Sequence, residues 1–127
     1  MKIAVVIALA LLTIIPVESN TQKKQPPLPS SFAAFWTTFK AAVAKDDKAA
    51  VAAMTNFPFL YESEERTKDE FVKKIYNELF DKQVKRCFAT RKPIQEDDAF
   101  VVFCGQINFY FRQVDGEYRL IEFGADD

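Results

Sequence analysis

Acidic side chains, tyrosines and two cysteines are the groups of this chain that could do chemistry, because its 127 residues include no histidine. The lack of histidine excludes Ser-His-Asp and Cys-His nucleophilic sites, His-ligated zinc and any histidine acid–base step. Two cysteines supply too few soft ligands for a tetrahedral zinc site. The sequence therefore predicts no metal and no cofactor, and carboxylate acid–base chemistry is left as the catalytic option.

Glu122 is the candidate for such chemistry. Asp115-Gly116 is a strong two-residue hairpin turn, and the register it sets would place Glu122 opposite Phe109. That strand face would carry Ile107, Phe109, Phe111, Tyr118 and Leu120. A carboxylate on an apolar face has a raised pKa and could act as a general base beside a carbonyl group. Alternatively, Glu122 reaches solvent or pairs with Arg86 or Arg91, and a bulge at the turn would direct it outward.

Three aromatic residues are candidates for binding a ligand. Tyr61 and Tyr76 could place hydroxyl groups at the mouth of a pocket, and Trp36 could form its floor. Residues of these types more often belong to the core, where a tyrosine hydroxyl has one satisfied hydrogen bond. The acidic run 62–65 lacks the spacing of a calcium loop and is predicted to be a solvated loop.

Cys87 and Cys104 are predicted to form a disulfide, since an exported chain with two cysteines usually oxidises them. Residues 84–91 are compatible with a strand or with a continuation of the preceding helix. If they form a strand that pairs with residues 99–104 about Gln95 and Glu96, the two cysteines fall opposite each other. The cross-link would then close a loop of about 16 residues.

The spacing of apolar residues predicts helices first and strands last. A first helix should begin at Ser30 or Ser31 and end near Lys45, with an apolar stripe of Phe32, Phe35, Trp36, Phe39 and Val43. Asp46 or Asp47 can cap a shorter helix that ends near Met54, and Thr67 with Glu70 predicts a capping box at the start of a third helix. Residues 99–104, 107–114 and 117–123 favour strands. This order predicts an α+β fold.

The start of the chain is typical of a secretory signal peptide. Met1 and Lys2 precede an apolar run over residues 3–15, and Val17 and Ser19 suit a cut before Asn20. The run is shorter than the roughly 20 residues that span a bilayer, and no cysteine follows the cut to carry a lipid anchor. We therefore expect a secreted or periplasmic protein without a stable membrane anchor.

The remaining chain divides into a leader and one domain. Residues 20–29 are polar and proline-containing, which predicts a flexible leader, and residues 30–127 have the length of a single domain.

Thirteen phenylalanines, four tyrosines and one tryptophan predict an aromatic core or an aromatic-lined cavity. A net charge of −1 from interspersed acids and bases gives no basic stripe for nucleic acid.

The order of elements resembles the nuclear transport factor 2-like superfamily, an α+β cone that also hosts ketosteroid isomerases and small dehydratases. The resemblance rests on the helix pair 31–45 and 47–54 followed by Phe57-Pro58-Phe59, on the helix start at residues 67–71, and on the hairpin about Asp115-Gly116. It covers most of residues 30–125. It implies N-terminal helices packed on a curved antiparallel sheet, an apolar pocket, and an outer sheet face that often pairs two subunits. The lack of histidine departs from the dehydratase-like members.

Three functions are compatible with these features. The sequence favours an exported domain without catalysis that binds a small apolar ligand or a protein partner. One alternative is an isomerase- or lyase-type enzyme that uses Glu122 with a tyrosine hydroxyl, and another is an inhibitor- or immunity-type interaction protein. An enzyme needs Glu122 at the base of a cavity with a second polar group within hydrogen-bond reach. Ligand binding needs only an apolar cavity, and an interaction protein needs a filled interior with an exposed apolar patch.

The outer sheet face is a candidate surface for homodimerisation. The two-residue turn would place Tyr110, Ile121 and Phe123 on this face. Arg112 and Arg119 would be cross-strand neighbours there and would repel each other unless an acid intervened. Such an acid could come from Glu117 or from a partner's residues 126 and 127.

We expect export to be followed by cleavage after Ser19, because small residues occupy the two positions that signal peptidase reads. The intact mass of the secreted chain should correspond to a start at Asn20. A cytosolic pool that retains Met1 would contradict this expectation.

Overall fold

A computed structural model describes residues 26–125, so the predicted signal peptide and residues 20–25 of the leader lie outside the described residues. The helices are α1 (Ser30–Ala44), α2 (Lys48–Ala53), α3 (Lys68–Glu70), a π-helical segment (Phe71–Ile75), α4 (Tyr76–Leu79) and α5 (Lys82–Thr90). The strands are β1 (Phe59–Tyr61), β2 (Glu64–Arg66), β3 (Ile94–Glu96), β4 (Ala99–Cys104), β5 (Ile107–Val114) and β6 (Glu117–Ala125). The predicted α+β class is confirmed.

The larger sheet is a four-stranded antiparallel meander in the order β3-β4-β5-β6, and β1 and β2 form a separate hairpin. The predicted turn at Asp115-Gly116 is confirmed: the two residues have φ angles of 52° and 83°, and Phe111 pairs with Leu120. Glycine suits this turn because the left-handed conformation is strained for residues with a Cβ.

Further along this hairpin the register shifts by one residue. The pairing changes between Phe111 and Tyr110. Beyond this point, Tyr110 lies opposite Glu122 and Phe109 lies opposite Phe123. Ile121 is therefore the extra residue of a β-bulge in β6. The predicted pairing of Phe109 with Glu122 is therefore wrong. The bulge turns the ring of Phe123 inward, where its centroid lies 6.0 Å from that of Phe59, and an apolar ring is much cheaper to bury than a carboxylate.

The outer edge of β6 is covered by the chain that follows α2. The backbone N–H of Leu120 donates to the carbonyl of Met54, and the N–H of Asn56 donates to the carbonyl of Leu120, both at 2.8 Å. Thr55 is buried in this connection. Pairing of this kind satisfies the backbone groups of a sheet edge and protects it from other strands.

The first helix packs its predicted apolar stripe against the sheet. Phe32, Trp36, Phe39 and Val43 are buried, as an apolar stripe that faces the core should be. Phe35, the remaining residue of the stripe, is only partly buried. The ring of Phe32 stacks on Phe100 with centroids 3.9 Å apart. Neither serine caps the helix, because the N-cap position is Pro29, which makes no side-chain cap.

The other helix starts follow local capping signals. Asp47 caps α2 by accepting a hydrogen bond from the N–H of Ala50 at 3.1 Å, and the predicted capping box of Thr67 and Glu70 is formed. These side chains satisfy backbone donors that a helix start would otherwise leave unpaired.

Residues 84–91 do not form a strand, because Lys82–Thr90 is helical. Asp81 caps this helix through the N–H of Val84 at 2.9 Å, and the hairpin of β4 is made instead with β3 about Asp97 and Asp98. The predicted disulfide is nevertheless present. It joins Cys87 of α5 to Cys104 of β4, with their Cα atoms 5.6 Å apart.

Replacement of Phe39 by alanine should lower the free energy of unfolding by about 3–5 kcal/mol, because the ring is fully buried and its removal leaves a cavity. Urea denaturation would measure the loss. Phe35→Ala is the matched control on the same helix and should cost clearly less, since Phe35 is partly exposed. Equal losses for the two variants would contradict the assigned packing.

Candidate functional site

The space between α1 and the sheet is filled by aromatic rings. Phe39, Phe80, Phe88, Phe109 and Phe111 are all buried. The rings of Phe88 and Phe109 meet edge to face at 5.0 Å, and so do those of Phe39 and Phe111. In the described part of the chain, these rings occupy the region where the resemblance implied an apolar pocket.

Glu122 lies on the outer face of the sheet, on the side opposite these rings. Its side chain is 53% exposed, and its Oε1 atom lies 3.6 Å from Nη2 of Arg112. The predicted partners Arg86 and Arg91 are not the residues it pairs with. This solvated, ion-paired position lacks the buried apolar surroundings that would raise the pKa of a general base.

The two candidate tyrosines each donate a hydrogen bond to a carboxylate. The Tyr61 hydroxyl donates to Oε2 of Glu78 at 2.6 Å; burial first, and this hydrogen bond second, raise its pKa to about 12. The Tyr76 hydroxyl donates to Oδ1 of Asp46 at 3.0 Å, and burial raises its pKa well above the usual value. Both hydroxyls are therefore protonated donors with structural partners, and neither of these bonds involves Glu122.

Asp46 joins three elements through its carboxylate. It lies in the turn between α1 and α2 with φ at 54°, and besides Tyr76 it accepts a hydrogen bond from Nζ of Lys85 at 2.7 Å. This bond to Lys85 is the main cause that lowers the pKa of Asp46. We call Asp46, Tyr76 and Lys85 the Asp46 cluster. From the sequence, Asp46 is a candidate only for a helix cap, because its partners Tyr76 and Lys85 are remote in the chain.

A surface groove of about 740 Å³ lies between the leader, α1 and the end of α5. Its apolar lining includes Leu28, Ala33 and Trp36, and its charged lining is Lys40, Arg91 and Lys92. Trp36 is 5% exposed, so only a small part of the indole reaches the groove. We call this feature the basic groove. Of the three aromatic candidates, Trp36 is the one that lines it.

The charges of the basic groove are all positive. Its lining contains Lys40, Arg91 and Lys92 and no carboxylate, and within residues 26–125 none of the three cations forms an ion pair. Arg91 and Lys92 are exposed, and Lys40 is partly buried. A neighbouring anion would therefore meet three cations that have no competing counterion among the described residues.

A smaller depression of about 160 Å³ beside Tyr61 has both acidic and basic side chains in its lining. One of them is Arg66, whose guanidinium lies 3.3 Å from Glu64 and 3.4 Å from Glu70. The Arg66 cation is thus paired with carboxylates of the chain, in contrast to the cations of the basic groove. In the part of the chain that the structure describes, no group of three acidic or cysteine side chains is placed to hold a metal ion.

The outer sheet face differs from its prediction at Phe123, which the bulge places on the inner side. Arg112 and Arg119 are cross-strand neighbours as predicted, and their charges are offset within the chain by Glu122 at 3.6 Å and Glu117 at 2.9 Å. Residues 126 and 127, the predicted alternative acids, lie outside the described residues. Homodimerisation through this face stays a prediction.

Two observations bear on the compartment. Within residues 26–125, no helix is both long enough and apolar enough to cross a membrane. The disulfide between Cys87 and Cys104 is consistent with an oxidising compartment.

Comparison with known proteins assigns no family. No family model, no curated protein and no solved structure matches this chain. The resemblance to the nuclear transport factor 2-like superfamily therefore stays a prediction from the sequence.

Replacement of Asp46 by asparagine should destabilise the protein at pH 7, because asparagine tolerates the left-handed turn and keeps an acceptor for Tyr76 but loses the ion pair with Lys85. Folding lowers the pKa of Asp46, so its carboxylate stabilises the fold at pH values above the ordinary pKa of about 4. This contribution disappears as the pH falls through the lowered pKa. The difference in the free energy of unfolding between the parent chain and Asp46→Asn should therefore become smaller at acid pH. Urea denaturation at a series of pH values would measure it.

Asp97→Asn is the matched control, because Asp97 also has a left-handed backbone, with φ at 51°, but forms no ion pair within the described residues. It should show no comparable loss at pH 7. In the same cluster, Tyr76→Phe should cost about 1 kcal/mol through the lost hydroxyl hydrogen bond. If Asp46→Asn and Asp97→Asn had equal stability at pH 7, the Asp46 cluster would have no stabilising role.

Proposed function

We propose that this chain is an exported, non-catalytic binding domain and that the basic groove is its binding site. The observation that carries the proposal is the arrangement of Lys40, Arg91 and Lys92 around an edge of Trp36, with no carboxylate in the lining. Binding sites commonly combine apolar and aromatic surface with a few polar groups that orient the ligand, and the groove volume of about 740 Å³ is within their usual range.

The filled interior supports a site on the surface rather than inside the domain. A small apolar ligand beneath α1 would have to displace rings such as Phe39 and Phe111, which are fully buried. The exposed position of Glu122 gives the enzyme alternative no support. A partner-binding role requires neither an internal cavity nor a perturbed carboxylate.

The nuclear transport factor 2-like cone remains our proposal for the fold family. It is supported by two N-terminal helices, α1 and α2, that precede a four-stranded antiparallel meander, and by the closing hairpin at Asp115-Gly116. Export is likewise proposed, from the signal-like start of the sequence and the disulfide. In such a protein the packed interior would serve stability, and recognition would belong to the surface.

Trp36 provides a direct test of the binding site, because it is the only tryptophan of the chain. We expect its fluorescence to change saturably when a panel of anionic probes is titrated: a glutamate-rich peptide, laurate below its micellar concentration, and phosphate. Ala33→Phe should block the response by filling the groove, since Ala33 is part of its lining.

Ala41→Phe is the matched control, because Ala41 is exposed on the same helix and lies outside the groove lining. It should bind like the parent chain. If no probe changed the Trp36 signal, or if both variants responded alike, the basic groove would not be the binding site.

A further inference from the structure

We propose that the basic groove binds an acidic peptide segment of a partner protein. This inference rests on the proposed function and names the class of ligand that the groove accepts. It follows from the placement of the cations, from the shape of the lining and from the charge of the chain that precedes it.

The cations come from different walls of the groove. Lys40 belongs to α1, whereas Arg91 and Lys92 follow the end of α5. Three cations in one lining can engage several carboxylates of a single ligand through charge-assisted hydrogen bonds. Arg91 and Lys92 also offer different geometries, since a guanidinium can engage a carboxylate through two parallel hydrogen bonds and an ammonium acts as a point charge.

The apolar lining is too shallow for an acyl chain. Leu28 and Ala33 are partly buried and Trp36 is almost fully buried, while the rim residues Pro26 and Ala89 are exposed. An acyl chain in this groove would keep much of its length in water, and the ring-filled interior below gives it no channel. Apolar side chains between acidic ones would instead cover the exposed part of Trp36 and leave their backbone in solvent.

The chain's own leader is not matched to this site by charge. Residues 20–25 contain Lys23 and Lys24 and no acidic residue. Like-charged side chains do not neutralise the cations of the groove lining. The net charge of −1 applies to the whole chain, whereas the lining of the basic groove is locally positive.

The test uses the oxidised chain and an acetylated, amidated octapeptide in which glutamates alternate with leucines. Trp36 fluorescence should report saturable binding that weakens as salt is added, because exposed charge pairs are screened. A peptide with glutamine in place of each glutamate should bind at least about tenfold more weakly.

A charge-reversed variant locates the binding. The triple variant Lys40→Glu, Arg91→Glu, Lys92→Glu should weaken peptide binding at least about tenfold, because attraction at each position becomes repulsion. The matched control is Lys45→Glu, Lys68→Glu, Lys82→Glu, which changes the net charge by the same amount at positions outside the groove lining. The control should bind the peptide like the parent chain.

The possible failures can be told apart. If laurate or phosphate binds in the parent chain but not in the groove variant, while the peptide does not bind, the groove is a binding site and the peptide proposal is overturned. If none of the probes binds, both the proposed function and this inference fail. Equal binding to the two triple variants, or equal binding of the glutamate and glutamine peptides, would also overturn the inference.

Discussion

Phe111 lies at the point where α1 meets the four-stranded sheet, and its ring is in contact with four aromatic rings of that helix. Phe39 meets it edge to face at 5.0 Å, and the rings of Phe32, Phe35 and Trp36 lie within 6.2 Å. Burial of such large apolar surfaces is the main favourable term in folding. Because Trp36 belongs both to this cluster and to the basic groove, the packing that stabilises the core also fixes the floor of the proposed binding site.

The features that the sequence could predict are those encoded by neighbouring residues. The stripe of α1 repeats with the helical period, the capping box of Thr67 and Glu70 spans one turn, and Asp115-Gly116 specifies a tight hairpin by itself. The bulge at Ile121 is different, because its cause is not local. It places Phe123 against Phe59 and Tyr61, and these partners are brought together only when β1 packs beside β6.

The same holds for the candidate site: the sequence could indicate some of its residues, but not those brought together by the packing of distant elements. Trp36 could be singled out by its type, and the disulfide by the number of cysteines and the expected compartment. Lys40, Arg91 and Lys92 could not, because each is an ordinary surface cation until α5 packs against α1. The tyrosines were reasonable candidates by type, but their hydroxyls are engaged by Glu78 and Asp46, acids that lie far from them in the sequence.

The disulfide between Cys87 and Cys104 joins α5 to β4 within one helical turn of Ala89, where this wall of the basic groove begins. A helix of nine residues on the surface would by itself fray readily at its end. Because the disulfide joins α5 to the sheet, it holds this wall of the groove in place before any ligand binds. A ligand of the proposed site would then lose less affinity to the ordering of the protein, and an open groove could bind it more tightly than a mobile one.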